Sequence, residues 1–310
     1  MNNTARENRG NSRKSSFWKG PILICAAVCF SFWSLSGAAT LSASGSAPEP
    51  AAAGLPPESA TTSERTFARG IDISRSAGEP SVPEFESIKQ QGYRFVIVSG
   101  WGGVNPNCHA QVQLSRARSA GLLTAGYCYL NFASAWDGGR QVREALAAFG
   151  DGAAFLGFLA IDVETSARNQ LSPGLRLETP DASAQQQALT RIAEAVEEVK
   201  RVGLRPVIYT KKSDWLRVTG DTQQFKSIPL WHPRTIGGDA LHQPDLARRG
   251  DTFGGWTSRV GKQFELDTIL NCPPIKVDLD VFDLGAFAPS NPDYVSLPPS
   301  PDVATLVVEK

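Results

Sequence analysis

Residues that build metal centres and disulfide scaffolds are scarce in this chain. Its 310 residues include five cysteines, three histidines and one methionine. Cys25 and Cys29 fall in an apolar stretch near the start. That leaves Cys108, Cys128 and Cys272, an odd set whose spacing fits neither a disulfide framework nor a zinc site. One bridge and one buried thiol are expected. His109, His232 and His242 are too scattered to suggest a metal centre, so neither a metal nor an organic cofactor is expected. Net charge is lacking as well, since 31 basic residues balance 31 acidic ones. No basic stripe interleaved with aromatics occurs, which argues against a nucleic-acid partner. No glycine-rich phosphate loop follows the first apolar run, and no G-x-S-x-G surrounds Ser74 or Ser99.

What is present is unevenly placed. Arg6, Arg9, Arg13, Lys14 and Lys19 face a single acid, Glu7, in the first 45 residues, and the uncharged run PILICAAVCFSFWSLSGAA (21–39) follows them. Residues 1–42 therefore read as a secretory signal or as an N-terminal membrane anchor, because the run also has the length of a bilayer span. Either way the body is expected outside the cytoplasm. Residues 43–64 are rich in Ala, Ser and Pro without apolar period and read as a linker. Residues 288–310 form a second Pro-rich tail.

The body, 65–287, alternates short apolar runs with segments of helical period. The runs are FARGIDIS (67–74), YRFVIVSG (93–100), LLTAGYCYLNF (122–132), GFLAIDVE (157–164) and RPVIYT (205–210). In the longest intervening segment, Leu189, Ile192, Ala193, Val196 and Val199 form one apolar stripe. After Thr210, three more strand-like runs (227–234, 261–267, 276–283) are not followed by long helices. The α/β pattern predicts an irregular TIM-like (β/α) barrel of about eight strands, with five βα units followed by strands lacking full helices. An open doubly wound sheet is the alternative.

Two carboxylates, Asp162 and Glu164, end the most hydrophobic run. Side chains alternate along a strand, so these two share a face opposite Leu159, Ile161 and Val163. The first run sets Asp72 and Ser74 opposite Ile71 and Ile73. The last sets Asp278 and Asp280 opposite Val277, Leu279 and Val281. Acids from three strands thus point to one axis at the end where barrel enzymes hold their active sites. Crowded carboxyls raise one another's pKa and can keep one protonated for acid catalysis. The competing reading is a solvated rim in which Arg75, Arg168 or Lys211 neutralises Asp162 and Glu164.

In order and spacing, GIDIS, YRFVIVSG, AGLLTAGYCYLNF, AIDVE, RPVIYT, PLWHP and KVDLDVF resemble the lysozymes of glycoside hydrolase family 25, over about residues 67–284. The resemblance implies a barrel of this irregular kind and cleavage of the peptidoglycan glycan strand. It implies Glu164 as general acid, with Asp162, Asp72 and Asp278 as the other catalytic acids and Tyr127 beside them. It also favours attack by the substrate's own N-acetyl group, assisted by Asp162, with retention at the anomeric carbon. Two stretches depart from the family pattern: SGWGG (99–103) replaces an acidic Glu-Gly, and Tyr127-Cys128 replaces Tyr-His. Chitinase-like barrels fit worse, since Gly157 and Ala160 stand where their signature needs acids.

Aromatic residues at strand ends supply candidate glycan contacts: Trp101, Tyr127, Tyr129, Tyr209 and Trp231, with Trp256 beyond them. The expected partner is peptidoglycan or a related amino-sugar polysaccharide, bound by a monomer. A catalytically silent glycan-binding barrel and an endoglycosidase for another amino-sugar polymer are the alternative functions.

Overall fold

A computed structural model describes residues 66–166, 170–235, 246, 252–271 and 274–288, all within the unit Thr61–Lys310. The expected leader, linker and most of the tail lie outside the described residues, as do Arg168, His242 and Cys272. Eight strands close in sequence order into one barrel: β1 (Phe67–Ile73), β2 (Phe95–Trp101), β3 (Leu123–Tyr129), β4 (Leu159–Asp162), β5 (Pro206–Tyr209), β6 (Leu230–Pro233), β7 (Gly261–Asn271) and β8 (Pro274–Asp283). The first seven pair in parallel, while β8 runs antiparallel to both β7 and β1. The chain is thus an α/β protein with a distorted TIM-like barrel. The open-sheet alternative is excluded by closure through β8.

Five helical crossovers link the first six strands. They are α1 (Val82–Gln90), α2 (Ala110–Ser119), α3 (Gly138–Phe149), the pair α4 (Pro173–Arg176) and α5 (Ala182–Arg201), and α6 (Lys212–Thr219). Their ends are set by local chemistry. Ser81 and Glu84 form a capping box, with the Ser81 N–H donating to Glu84 Oε2 at 2.6 Å, and Asp181 Oδ1 accepts from the Ser183 N–H at 2.9 Å. Gly220 ends α6 in the left-handed region, φ 66°, where a Cβ would be strained.

Parity along the strands produces two cores. Ile71, Val96, Val98, Leu159 and Ile161 face outward against Leu114, Val142, Phe149, Ile192, Val199 and Trp215 of the helices. Phe95, Ile97, Ala125, Phe158, Ala160, Val207, Trp231 and Phe282 fill the inside. Below them a 3-10 turn, Leu284–Phe287, plugs the barrel with Phe287. Arg205 Nη1 holds that turn by donating to the carbonyls of Gly285 (2.9 Å) and Ala286 (3.0 Å). The lower barrel is therefore solid, and only its upper end is free to carry polar groups.

The predicted bridge is not formed by the cysteines in view. Cys108 is an exposed free thiol and Cys128 a buried one, because Cys128 faces the outer core from β3 while Cys108 sits on the surface ahead of α2.

Candidate active site

The upper barrel end gathers the acids that parity assigned to it. Asp72 comes from β1, Asp162 from β4, and Asp278 and Asp280 from β8. β4 itself stops at Asp162, yet the chain stays extended for two more residues. Val163 N–H donates to the Tyr209 carbonyl at 2.9 Å, and the Thr210 hydroxyl donates to the Val163 carbonyl at 2.8 Å. Glu164 consequently keeps the orientation of Asp162 one layer higher and remains partly exposed at the mouth. Asp278 reaches the same end by an unexpected route. It lies in the first half of β8, and the antiparallel direction of that strand places it directly opposite Asp72.

Polar neighbours fix several of these carboxyls. Gln263 Nε2 donates to Asp72 Oδ2 at 2.7 Å and to Asp278 Oδ2 at 3.3 Å. Gln263 is itself oriented by the Tyr209 hydroxyl, which donates to Oε1 at 2.7 Å. A bulged stretch of β7 turns Asp267 into the left-handed region, φ 53°. Its N–H then donates to Asp278 Oδ1 at 2.6 Å. The Ser166 hydroxyl donates to Glu164 Oε2 at 3.0 Å and lies 3.4 Å from the Tyr129 hydroxyl. Beneath the cluster, the Trp231 indole N–H donates to Asp280 Oδ1 at 2.9 Å.

Among the described residues, none of Asp72, Asp162, Glu164, Asp278 and Asp280 forms an ion pair. Lys211, one of the expected partners, instead reaches Asp214 at 3.5 Å, and Asp214 accepts from the Thr165 hydroxyl at 2.6 Å. Lys211 thus acts on Glu164 through its charge without an ion pair, and Arg168, another expected partner, lies outside the described residues. Burial raises every acid of the group. Asp72 is pushed up to about 7 by burial and by the charge of Asp278. Asp162 is driven well above the carboxylate range by burial, then by Glu164, Asp72 and Asp214. Glu164 is raised chiefly by burial, with the Ser166 hydrogen bond and Lys211 opposing and Asp214 adding to it. Asp278 is raised by burial against the Asp267 N–H, which holds it down. The acids act on one another, and each is shifted toward its protonated form.

The aromatic candidates divide. Tyr127 is partly buried beside Asp72 and Asp162, and its phenol is raised by burial and by their charges. Tyr129 stands at the mouth through Ser166, and Tyr209 lies under the acids at 7 % exposure. The two tryptophans do not lie where a sugar can stack. Trp101 follows a register shift between Ser99 and Trp101 that turns it to the outer core. There it stacks on Trp136 with ring centroids 5.4 Å apart. Trp231 does face inward, but one layer too deep, packed edge-on under Tyr209 at 4.6 Å. Trp256 is also core, donating to the Ile228 carbonyl at 2.8 Å. Gln263 and Asp280 were missed as site residues. Nothing in the motif marks Gln263, and Asp280 shared its face with Asp278 without any sign of depth. The described residues contain no metal-binding group of His, Cys, Asp and Glu.

Comparison with known proteins gives the family and the fold. Residues 63–264 match the family model described as Lysozyme-like protein 1. The chain is 27 % identical over 214 residues to "Probable GH family 25 lysozyme 3" of Dictyostelium discoideum, covering 69 % of this chain and 40 % of that protein. It is 28 % identical over 210 residues to Lysozyme-like protein 3 of Caenorhabditis elegans, covering 64 % and 63 % respectively. The chain thus spans less than half the length of the Dictyostelium relative. Among solved structures it resembles a muramidase from Trichobolus zukalii, with TM-score 0.54, 23 % identity and coverage of 72 % of this chain and 100 % of the other. It also resembles a lysozyme from Streptomyces coelicolor, with TM-score 0.53, 18 % identity and coverage of 70 % and 92 %. At those identities the likeness is one of fold.

Proposed function

The chain belongs to the lysozyme-like family of glycoside hydrolase family 25, and on that premise we propose that it cleaves the β-1,4 glycan strand of peptidoglycan. One observation carries the reading: Glu164 stands partly exposed above a buried Asp162 in a cluster of carboxyls, none of which is ion-paired among the described residues. In the proposed reaction Glu164 protonates the glycosidic oxygen of the leaving sugar. Asp162 has a buried Oδ1 with no hydrogen-bond donor, an acceptor suited to the N–H of an N-acetyl group. A donor arriving there favours the charged form of Asp162 and leaves the proton on Glu164. The acetamido oxygen then attacks the anomeric carbon, and the Asp162 charge supports the ring that forms. Attack by the substrate's own group takes this route outside the carboxyl-separation rule for enzymes with a protein nucleophile. Asp72 and Asp278 keep the field negative around the reacting carbon. Tyr127 and Tyr129 border the sugar.

Residues 1–42 support export of this domain, either by a cleaved signal or by a tether through residues 21–39, and peptidoglycan is accessible only outside the cytoplasm. The test is release of new reducing ends from purified peptidoglycan. Glu164→Gln keeps the shape but removes the acidic proton, so turnover is expected to fall by about 10²-fold or more. Binding to insoluble wall without any release by the wild-type chain would support the silent binder. Release from another amino-sugar polymer alone would support the other endoglycosidase.

A further inference from the structure

The cluster contains one more carboxyl than the proposed reaction uses, and its surroundings give that carboxyl a task. We propose that Asp280 is a carboxylic acid that donates its proton to Asp72, so that a carboxyl–carboxylate pair across β1 and β8 positions Asp72. This rests on the hydrolase reading above and concerns the same site.

Register places the two together. Asp72 lies opposite Asp278 and Gly70 opposite Asp280, so Asp280 is the diagonal neighbour of Asp72 on one face, within reach of its side chain. The two carboxyls thus adjoin on the inner face, and the Asp72 charge bears directly on Asp280. A hydrogen bond between carboxyls requires a proton on one of them. The floor below is closed, since a Cβ on Gly70 would come within 2.2 Å of the Phe95 ring. Asp280 is completely buried, its Oδ1 is occupied by the Trp231 N–H, and its Oδ2 has no donor. That Oδ2 is the atom free to hold a proton.

The surroundings decide which partner holds it. Asp72 sits nearer the pocket and already accepts a strong hydrogen bond from Gln263, which supports a charge there. Asp280 lies a layer deeper. The groups around the pair are Ser99 on β2, Tyr127 on β3, Asp162 on β4 with Glu164 beyond it, Tyr209 on β5, Trp231 on β6, Gln263 on β7 and Asp278 on β8. All are neutral or acidic. Two bare carboxylates at that depth would repel without compensation, and a single proton on Asp280 removes the conflict. Burial and the neighbouring Asp72 charge raise Asp280 well above the carboxylate range, the sense this arrangement requires.

The full chain tests this with Asp280→Asn and Asp280→Leu. Asn retains a donor toward Asp72 at every pH, whereas Leu has none. At pH 7 the infrared difference between aspartate-labelled wild type and Asp280→Asn is expected to show the carbonyl band of a protonated carboxyl. With peptidoglycan, Asp280→Asn is expected to keep kcat within about threefold and to extend activity to higher pH. Asp280→Leu should lose about a hundredfold in kcat at little change in KM, the scale of a misplaced catalytic group. Absence of the protonated band in the difference spectrum overturns the proposal, as does an Asp280→Asn variant as inactive as Asp280→Leu. If Asp280→Leu does not fold, the spectrum and the Asp280→Asn profile decide. If the wild type releases no reducing ends, the hydrolase reading fails and the spectrum still decides the pair.

Discussion

A candidate site made of crowded acids, none of them ion-paired among the described residues, should make the folded chain lose stability as pH rises, and Asp72 allows the loss to be worked out. Its carboxyl rises from an ordinary 3.8 to about 7. Below pH 4 the group is protonated in both folded and unfolded chains and contributes no pH dependence. Between pH 4 and 7 the unfolded chain releases the proton while folded Asp72 retains it, and above that window Asp72 is the carboxylate of the pair with Asp280. The unfolded state therefore gains about 1.4 kcal/mol per pH unit across that window, on the order of 4 kcal/mol in total. Asp72→Asn removes the term. The variant should match the wild type near pH 4 and be more stable at pH 8 by up to that amount. Urea unfolding at pH 4, 5, 6, 7 and 8 measures the difference directly, with unchanged m-values showing that the folded state is comparable. Because Asp72 and Asp280 titrate together, Asp280→Asn should flatten the same curve, and the double variant should gain less than the sum. Parallel wild-type and Asp72→Asn curves, or a wild type that gains stability between pH 4 and 7 relative to the variant, would refute the reasoning.

Other expectations follow from single contacts. Gly138→Ala should lower unfolding free energy by about 3 kcal/mol, since the new Cβ would lie 1.9 Å from the Arg191 carbonyl oxygen where α3 meets α5; a melt shows it, and an unchanged Tm would mean the helices part easily. Trp231→Phe keeps an aromatic ring, though a smaller one, and takes the donor from Asp280 Oδ1, at a cost of about 1–3 kcal/mol in urea unfolding; no change would mean that hydrogen bond is dispensable. For the leader, N-terminal sequencing of exported protein should begin after residue 39, whereas a start upstream of Pro21 would identify the tether.

The fold was legible because each level of the sequence repeated the same message. Apolar runs of strand length alternated with segments of helical period such as the α5 stripe, and the scarcity of long helices after Thr210 was visible as a loss of that period. The direction of β8 was not legible. A strand's parity is the same whichever way it runs, and KVDLDVFD has no feature that distinguishes parallel from antiparallel pairing. Its direction follows from the hairpin with β7, whose turn is too close to permit a parallel crossover. The helix α6 completes the fifth expected βα unit, but its position was not legible, since KSDWLRVT is barely two turns and its apolar residues, Trp215 and Val218, are too few to show a period.

The site was legible in angle and not in depth. Alternation says which way a side chain points around the barrel, so Asp72, Asp162, Glu164 and Asp278 could be placed on one axis without coordinates. Alternation does not say how far along the axis a residue lies, and each misplaced residue failed on that coordinate or on a bulge. Trp231 points inward as parity requires, yet it lies a layer below the mouth and serves Asp280. Trp101 had the parity of Ile97 and Ser99 until one irregular step reversed its face. Depth is fixed by register between neighbouring strands, a property of the pairing that no single strand carries. For an acid the depth decides the chemistry. Asp278 and Asp280 are two residues apart on one face, but the first reaches the pocket and an outer N–H, while the second is fully buried beside Asp72 and an indole. The same side chain is thus a pocket carboxyl at one level and, in our proposal, a proton-holding support at the next.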